Sequence, residues 1–192
     1  MKQSLFLVSL LSLGAYANVL SLVTSGSGCS QGVVPAITEF PNTGATQPSA
    51  LQVSFDTTAY VASTGPPAGQ RKNCQVIFVL EKVNGKRYRV STARYTGNVN
   101  LAAGVTAEQG AIYYFQGEST TVATLETFVG PVSSAYNILA VVPERWSSCN
   151  NNLAFNVGTS VRVLPGATAA GSITGDVNGK VTFLFNLEWE DC

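Results

Sequence analysis

The chain contains no histidine. Imidazole is the usual general base, the commonest metal ligand and the usual partner of a nucleophilic serine or cysteine. Its absence excludes His-dependent triads and His-based zinc sites. Charge is scarce as well. Charged residues make up 11% of the chain, with 11 Lys+Arg against 11 Asp+Glu, where an average domain carries about 25%. A neutral chain has no electrostatic footprint for nucleic acid or anionic membrane, and neither is expected as a partner. Long hydrophobic runs are also missing. The longest, Leu5-Phe-Leu-Val-Ser-Leu-Leu-Ser-Leu13, is too short for a membrane span, which needs roughly 20 residues. No small-residue site with a hydrophobic tail closes the chain, so a lipid anchor is not expected. No Cys-x-x-Cys pair, Gly-rich phosphate loop, nucleophile elbow, metal-binding motif or Asn-x-Ser/Thr sequon appears. No cofactor is expected.

What is present begins with an export signal. One positive charge in Met-Lys-Gln precedes the short apolar run, and Ala15-Tyr-Ala17 follows it. This is the order of a secretory signal peptide with its cleavage site. Cleavage is expected after Ala17, which makes 1–17 the signal and 18–192 the secreted domain. Four cysteines follow: Cys29, Cys74, Cys149 and Cys192, separated by 45, 75 and 43 residues. Those spacings do not suit a four-cysteine zinc site, and an exported chain favours disulfides. Four cysteines allow three connectivities, and loop entropy hardly separates them. Cys192 is the final residue, so its bond pins the last strand whichever partner it takes. Its position also gives the expectation that the chain is complete at that end.

The apolar pattern has a period of two almost throughout. Strands are expected at 51–55, 76–80, 87–90, 111–115, 122–129, 136–142 and 153–164. Asn84-Gly85 reads as a two-residue hairpin turn leading into Arg87-Tyr-Arg-Val90. Residues 172–177, Asn178-Gly179 and 180–189 read as a terminal hairpin, with Val181, Phe183, Phe185, Leu187 and Trp189 on one face. No window has an amphipathic helical stripe, and only 101–110, bracketed by Gly104 and Gly110, admits a helical turn. Many short strands broken by Gly, Pro, Asn and Ser predict an all-β, single-domain antiparallel sandwich, with an open or closed barrel as the alternative. The breaks at 41–48, 63–69 and 165–171 read as loops within one domain.

Three constellations carry chemistry. Glu188 and Glu190 are two apart on the last strand, so they share the face opposite Trp189, about 7 Å apart. Paired carboxylates at such a spacing can serve glycosidic bond hydrolysis, and with Asp191 they offer oxygens to calcium. The plainer reading is a solvated outer face. Lys82, Lys86, Arg87, Arg89 and Arg94 form a basic run, with Arg87 and Arg89 on one face of their strand. This is a candidate patch for an anion or acidic polysaccharide, and more plainly a solvated hairpin. Tyr113-Tyr-Phe115 and Trp146 are candidate platforms for a sugar ring. Half of the residues in alternating strands face the core, so core packing is the plainer reading for the first group. Trp146, shortly before Cys149, is the better candidate.

Several of these motifs also resemble a known family. Gly26-Ser-Gly-Cys29-Ser-Gln-Gly32 is similar to the opening Gly-x-Gly-Cys-Pro-x-Gly of the secreted, mostly fungal family called Domain of Unknown Function 4360. Arg71-Lys-Asn-Cys74, Tyr95-Thr-Gly97, Gly104-Val-Thr106, Tyr113-Tyr-Phe115, Phe128-Val-Gly-Pro131, Trp146-Ser-Ser-Cys149 and the closing Trp189-Glu-Asp-Cys192 resemble its later motifs. The similarity runs in order over nearly all of the secreted chain. Ser30 departs from the family's Pro, and 35–50 reads as a long, irregular loop. The resemblance implies one extracellular β domain with two disulfides. It implies no activity and carries over no catalytic residue. With it in view, the pairing expected is Cys29–Cys74 and Cys149–Cys192.

The function expected is extracellular binding without catalysis, directed to cell-wall polysaccharide or to a host protein, by a protein that is monomeric. Trp146, Tyr113, Arg87 and Arg89 are the candidate ligand-binding residues. The alternative is a carboxylate-dependent polysaccharide hydrolase using Glu188 and Glu190. A surface protein without a specific ligand is the third reading.

Overall fold

Twelve strands and one short 3-10 turn account for the regular structure in the computed structural model of the chain, which describes residues 19–29, 35–41, 47–81, 85–164, 166 and 168–192. In chain order the strands are β1 (Val19–Ser25), β2 (Ala36–Pro41), β3 (Pro48–Asp56), β4 (Val61–Ser63), β5 (Arg71–Leu80), β6 (Lys86–Leu101), β7 (Thr106–Phe115), β8 (Val122–Val129), β9 (Val132–Val141), β10 (Phe155–Val163), β11 (Gly171–Thr174) and β12 (Lys180–Asp191). All strand pairs are antiparallel. One sheet runs β1-β5-β10-β7-β8. The other runs β2-β3-β12-β6-β11-β4, with β9 on the opposite edge of β6. The two sheets form a sandwich, and neither closes into a barrel among the described residues.

Alternation dictates what lies between the sheets. Phe78 of β5 meets Phe185 of β12 at 5.8 Å, and Tyr88 of β6 meets Phe115 of β7 at 5.6 Å. Phe183 sits among Phe55, Tyr60 and Tyr95 at 5.6–6.4 Å. Val181, Phe183, Phe185 and Leu187 are all buried, as the period of two requires. β6 would lose its inward register over 16 residues, but a bulge corrects it. Thr92 pairs with Asn186 and Val90 with Leu187, which leaves Ser91 as the extra residue. Val90 and Ala93 therefore both face the core, while Arg89 and Arg94 are only partly buried.

Both disulfides pair in the expected way. Cys29–Cys74 has Cα atoms 5.3 Å apart and Cys149–Cys192 has them 5.9 Å apart.

The connections differ from expectation in four places. β5 and β6 lie in different sheets, so the chain through Gly85 crosses the sandwich and does not turn a hairpin; Asn84 lies outside the described residues. Asn178 and Gly179 do form a turn with positive φ (54° and 76°), closed by a single bridge from Val177 to Lys180. The strands beside it do not pair with each other. β11 and β12 lie one after the other along the same edge of β6, opposite β9. β6 is long enough to serve both, which a local hairpin reading cannot register. Residues 101–110 hold the end of β6, a turn and the start of β7, not a helical turn. Within 35–50, residues 36–41 form β2, paired with β3. Strands β1, β2 and β4 are additional to those the periodicity marked. The signal segment 1–17, Ser30 and Lys82 lie outside the described residues.

Candidate functional site

The outer face of β6 and β12 gathers most of the candidate residues. Arg87 and Arg89 point outward from β6 because Tyr88 and Val90, which alternate with them, are buried. Glu188 and Glu190 take the same face of β12, and the register sets Arg87 opposite Glu190 and Arg89 opposite Glu188. Arg87 Nε donates to Glu190 Oε1 at 2.6 Å and Arg89 Nε to Glu188 Oε2 at 2.8 Å. A second nitrogen of each guanidinium closes on the same oxygen. The other oxygen of each carboxylate accepts no hydrogen bond among the described residues. Lys86 and Asp191 add a third pair at 2.6 Å. Such exposed pairs contribute only about 0–1 kcal/mol each; their consequence is to fix polar atoms in place. They also neutralise Lys86, Arg87 and Arg89, each of which has an acid opposite it on β12, whereas Arg94 bonds the neutral Asn137.

Trp146 comes to this face from the segment that follows β9. Val142 N–H donates to Ser91 C=O at 3.0 Å, and Ser147 N–H donates to Tyr88 C=O at 2.8 Å. Four residues, 143–146, thus lie beside two of β6, 89–90, and the longer run bows outward. Ser147 completes the anchorage by accepting from Tyr88 N–H at 3.1 Å through its hydroxyl. The indole is left half-buried, with the guanidinium carbons of Arg87 and Arg89 at 5.3 and 5.4 Å from its centre. Its Nε1–H donates to Glu144 at 2.7 Å. Arg145 pairs with Glu118 across the end of β7. An open depression beside these residues is lined by Trp146, Glu188, Glu190, Lys86, Gln47 and Trp189.

Tyr113 is elsewhere. It is fully buried, and its hydroxyl bonds Tyr95 at 2.7 Å and Thr124 at 3.1 Å. It supports the core and offers no surface to a ligand. Burial raises its pKa and that of Tyr95 above the ordinary tyrosine value. A second concavity, between the edge strands β8 and β9, has Tyr95 and Gln109 at its base and Leu125, Glu126, Leu139 and Val141 on its walls. Trp189, facing inward as expected, packs on Tyr88 at 5.2 Å and donates to Pro48 C=O at 2.9 Å. No group of three or more acidic or cysteine side chains is arranged to hold a metal among the described residues.

Residues 15–192 match the family described as "Domain of unknown function (DUF4360)". The chain belongs to that family. A relative from Arthroderma benhamiae, described as an uncharacterized secreted protein, is 29% identical over 183 residues, 91% of this chain and 71% of its own. The DUF4360 chain is accordingly a secreted protein, and no helix among its described residues is long and apolar enough to cross a membrane. Solved structures similar to it include a carbohydrate-binding module in complex with β-1,4-galactotriose, at 11% identity and TM-score 0.30 over 89% of this chain and 88% of that one. Another is a mannan-recognising carbohydrate-binding module, at 10% identity and TM-score 0.36 over 93% and 100%. These likenesses are remote and carry no function across.

The sequence missed Ser147 and the Arg–Glu pairing. A signal for the pairing was there. Arg-x-Arg on one strand and Glu-x-Glu on another are complementary at the same spacing, which marks strands that want to be neighbours.

Proposed function

We propose that this secreted protein binds a neutral polysaccharide of the extracellular matrix or cell wall through Trp146 and the Arg87, Arg89, Glu188 and Glu190 ladder, without catalysis. The observation that carries this is the half-exposed indole held beside two arginine–glutamate pairs. An aromatic face suits the apolar face of a pyranose ring. Fixed guanidinium donors and the second oxygen of each carboxylate, unbonded among the described residues, suit the vicinal hydroxyls of the same sugar. The pairs cancel each other's charge, which favours an uncharged glycan over the acidic one that a basic patch would select. Hydrolysis by Glu188 and Glu190 is disfavoured by the same geometry. Each carboxylate is taken up by an arginine, and the depression the two line is open to solvent.

The test is retention of the secreted protein in native gels containing soluble wall glucans, mannans or acidic polysaccharides. Retention by a neutral glycan is expected, reduced at least tenfold in Trp146→Ala, with Glu188→Gln and Glu190→Gln yielding no change in released sugar. Blank lanes for every glycan, or equal retention of Trp146→Ala, would reject the proposal and direct the search to a protein partner.

A further inference from the structure

Among the described residues the unpaired sheet edges belong to β1, β2, β4, β8 and β9. Charges, prolines, bulges and shortness blunt an edge against pairing with another chain. β1 has a register shift between Val19 and Ser21. β2 holds Glu39 and Pro41, β8 holds Glu126 near its middle, and β4 has three residues. β9 has none of these devices. Its ten residues, Val132-Ser-Ser-Ala-Tyr-Asn-Ile-Leu-Ala-Val141, contain no charge and no proline, and they keep one register with β6 from end to end. On its far side, alternate N–H and C=O groups face away from β6. Leu139 and Val141 are 53% and 74% exposed.

The outer side chains of β9 are graded in size. Ser133 and Ala135 stand at one end, Leu139 and Val141 at the other, and Asn137 midway, all of them exposed. A second copy of β9, laid antiparallel about a two-fold axis at Asn137, meets this grading large against small. Leu139 then faces Ala135 of the second copy, Val141 faces Ser133 of the second copy, and Asn137 faces its own equivalent. No like charges meet across the axis, as they would at Glu126 in a pairing of β8. The formal net charge of +0 leaves no general repulsion between copies.

We propose that the protein associates as a two-fold dimer through the free edge of β9, so that the sheet of β6 and β12 runs on from one copy into the other. This takes the place of the monomer expected from the sequence. The axis stands perpendicular to the sheet, so the outer faces of both copies lie on the same side. Where Trp146 is the binding residue, which rests on the function proposed above, the dimer presents two indoles to one glycan surface and retention gains from bivalence.

The experiment is sedimentation equilibrium of the secreted protein at rising concentration, with hydrogen exchange of its amides. A species of twice the monomer mass is expected, with slowed exchange at alternate amides of β9 as it fills. Leu139→Glu puts a charge on the pairing edge and is expected to weaken the dimer at least tenfold. Leu139 is exposed, so the thermal transition of the variant persists. Ser133→Glu acts in the same way from the other end of the strand. Leu139→Glu combined with Ala135→Lys sets opposite charges face to face and should restore the dimer. Asn137→Cys is expected to cross-link to its equivalent, since opposite residues stand about 4.5–5.5 Å apart. Ser133→Cys is not, since its equivalent lies roughly 26 Å away. A monomer at every concentration overturns the proposal. So does a dimer that survives both Leu139→Glu and Ser133→Glu, or one that cross-links through Ser133→Cys and not through Asn137→Cys. Sedimentation uses no glycan, so it decides the dimer even if glycan retention fails. Retention on an insoluble wall glycan should fall at least tenfold in Leu139→Glu, and equal retention rejects the bivalence.

Discussion

Tyr60 shows how single residues order the interior. Its ring lies between Gly28 and Gly175, at neither of which a Cβ would fit, and its hydroxyl reaches Thr159 at 2.9 Å. Thr159 also accepts from Gln109 at 2.8 Å, and Tyr136 donates to Thr174 C=O at 2.6 Å. A tyrosine buried in this way keeps its proton more tightly than an unfolded one. Burial raises the pKa of Tyr60, Tyr88, Tyr95, Tyr113 and Tyr136 alike. The stability linked to these groups is intact below the ordinary tyrosine pKa of about 10 and is lost as pH rises from there, at about 1.4 kcal/mol per pH unit for each tyrosine. Thermal melts across the alkaline range should therefore be level up to about pH 10 and collapse above it. A transition temperature that holds two units higher would contradict the burial of these hydroxyls. Tyr113 belongs to this group, and core packing is the plainer reading of its alternating segment. Tyr113-Tyr-Phe115 alternates correctly, but alternation alone does not say which parity faces inward.

At the scale of elements, β6 and β12 make the candidate face. Their cross-strand pairs put opposite charges at matched positions, an arrangement that a one-residue slip would destroy. Arg87→Glu alone sets like charges opposite each other at Glu190 and should cost about 0.5–1 kcal/mol. Arg87→Glu combined with Glu190→Arg should recover that loss in a denaturant titration; a double variant no more stable than the single one would show that the pair is not coupled. Most strands were legible because the period of two is carried by large residues such as Phe183 and Phe185. β1, β2 and β4 were not. Val19–Ser25 lies on a sheet edge with Leu20 and Val23 exposed, and three-residue β4 is too short to show any period. Pairing partners were hidden for a different reason. Asn178-Gly179 is a true turn, yet the length of β6, not the turn, decides what β11 and β12 lie against.

For the whole molecule, two staples act on different parts of a sandwich. Each closes a loop of similar length, 45 and 43 residues in sequence separation, and in the chain-entropy account each contributes about 4 kcal/mol through the unfolded state. Only their placement separates them: one is buried beside β5, the other is exposed at the edge of the candidate face. The compartment and the cysteine chemistry were readable from the chain because export and the lack of histidine leave few alternatives. The face itself was not, because it joins β6, β12 and the segment after β9, which lie far apart in sequence and meet only through the register. The central claim is that Trp146, and not Trp189, meets a neutral glycan. The chain has two tryptophans, so the most direct measurement is an NMR titration of the two indole N–H resonances with a soluble wall glycan. Saturable movement of the Trp146 signal, with that of Trp189 fixed by its bond to Pro48, is the predicted result. A titration in which the Trp146 resonance stays still while the protein binds the glycan would contradict the account.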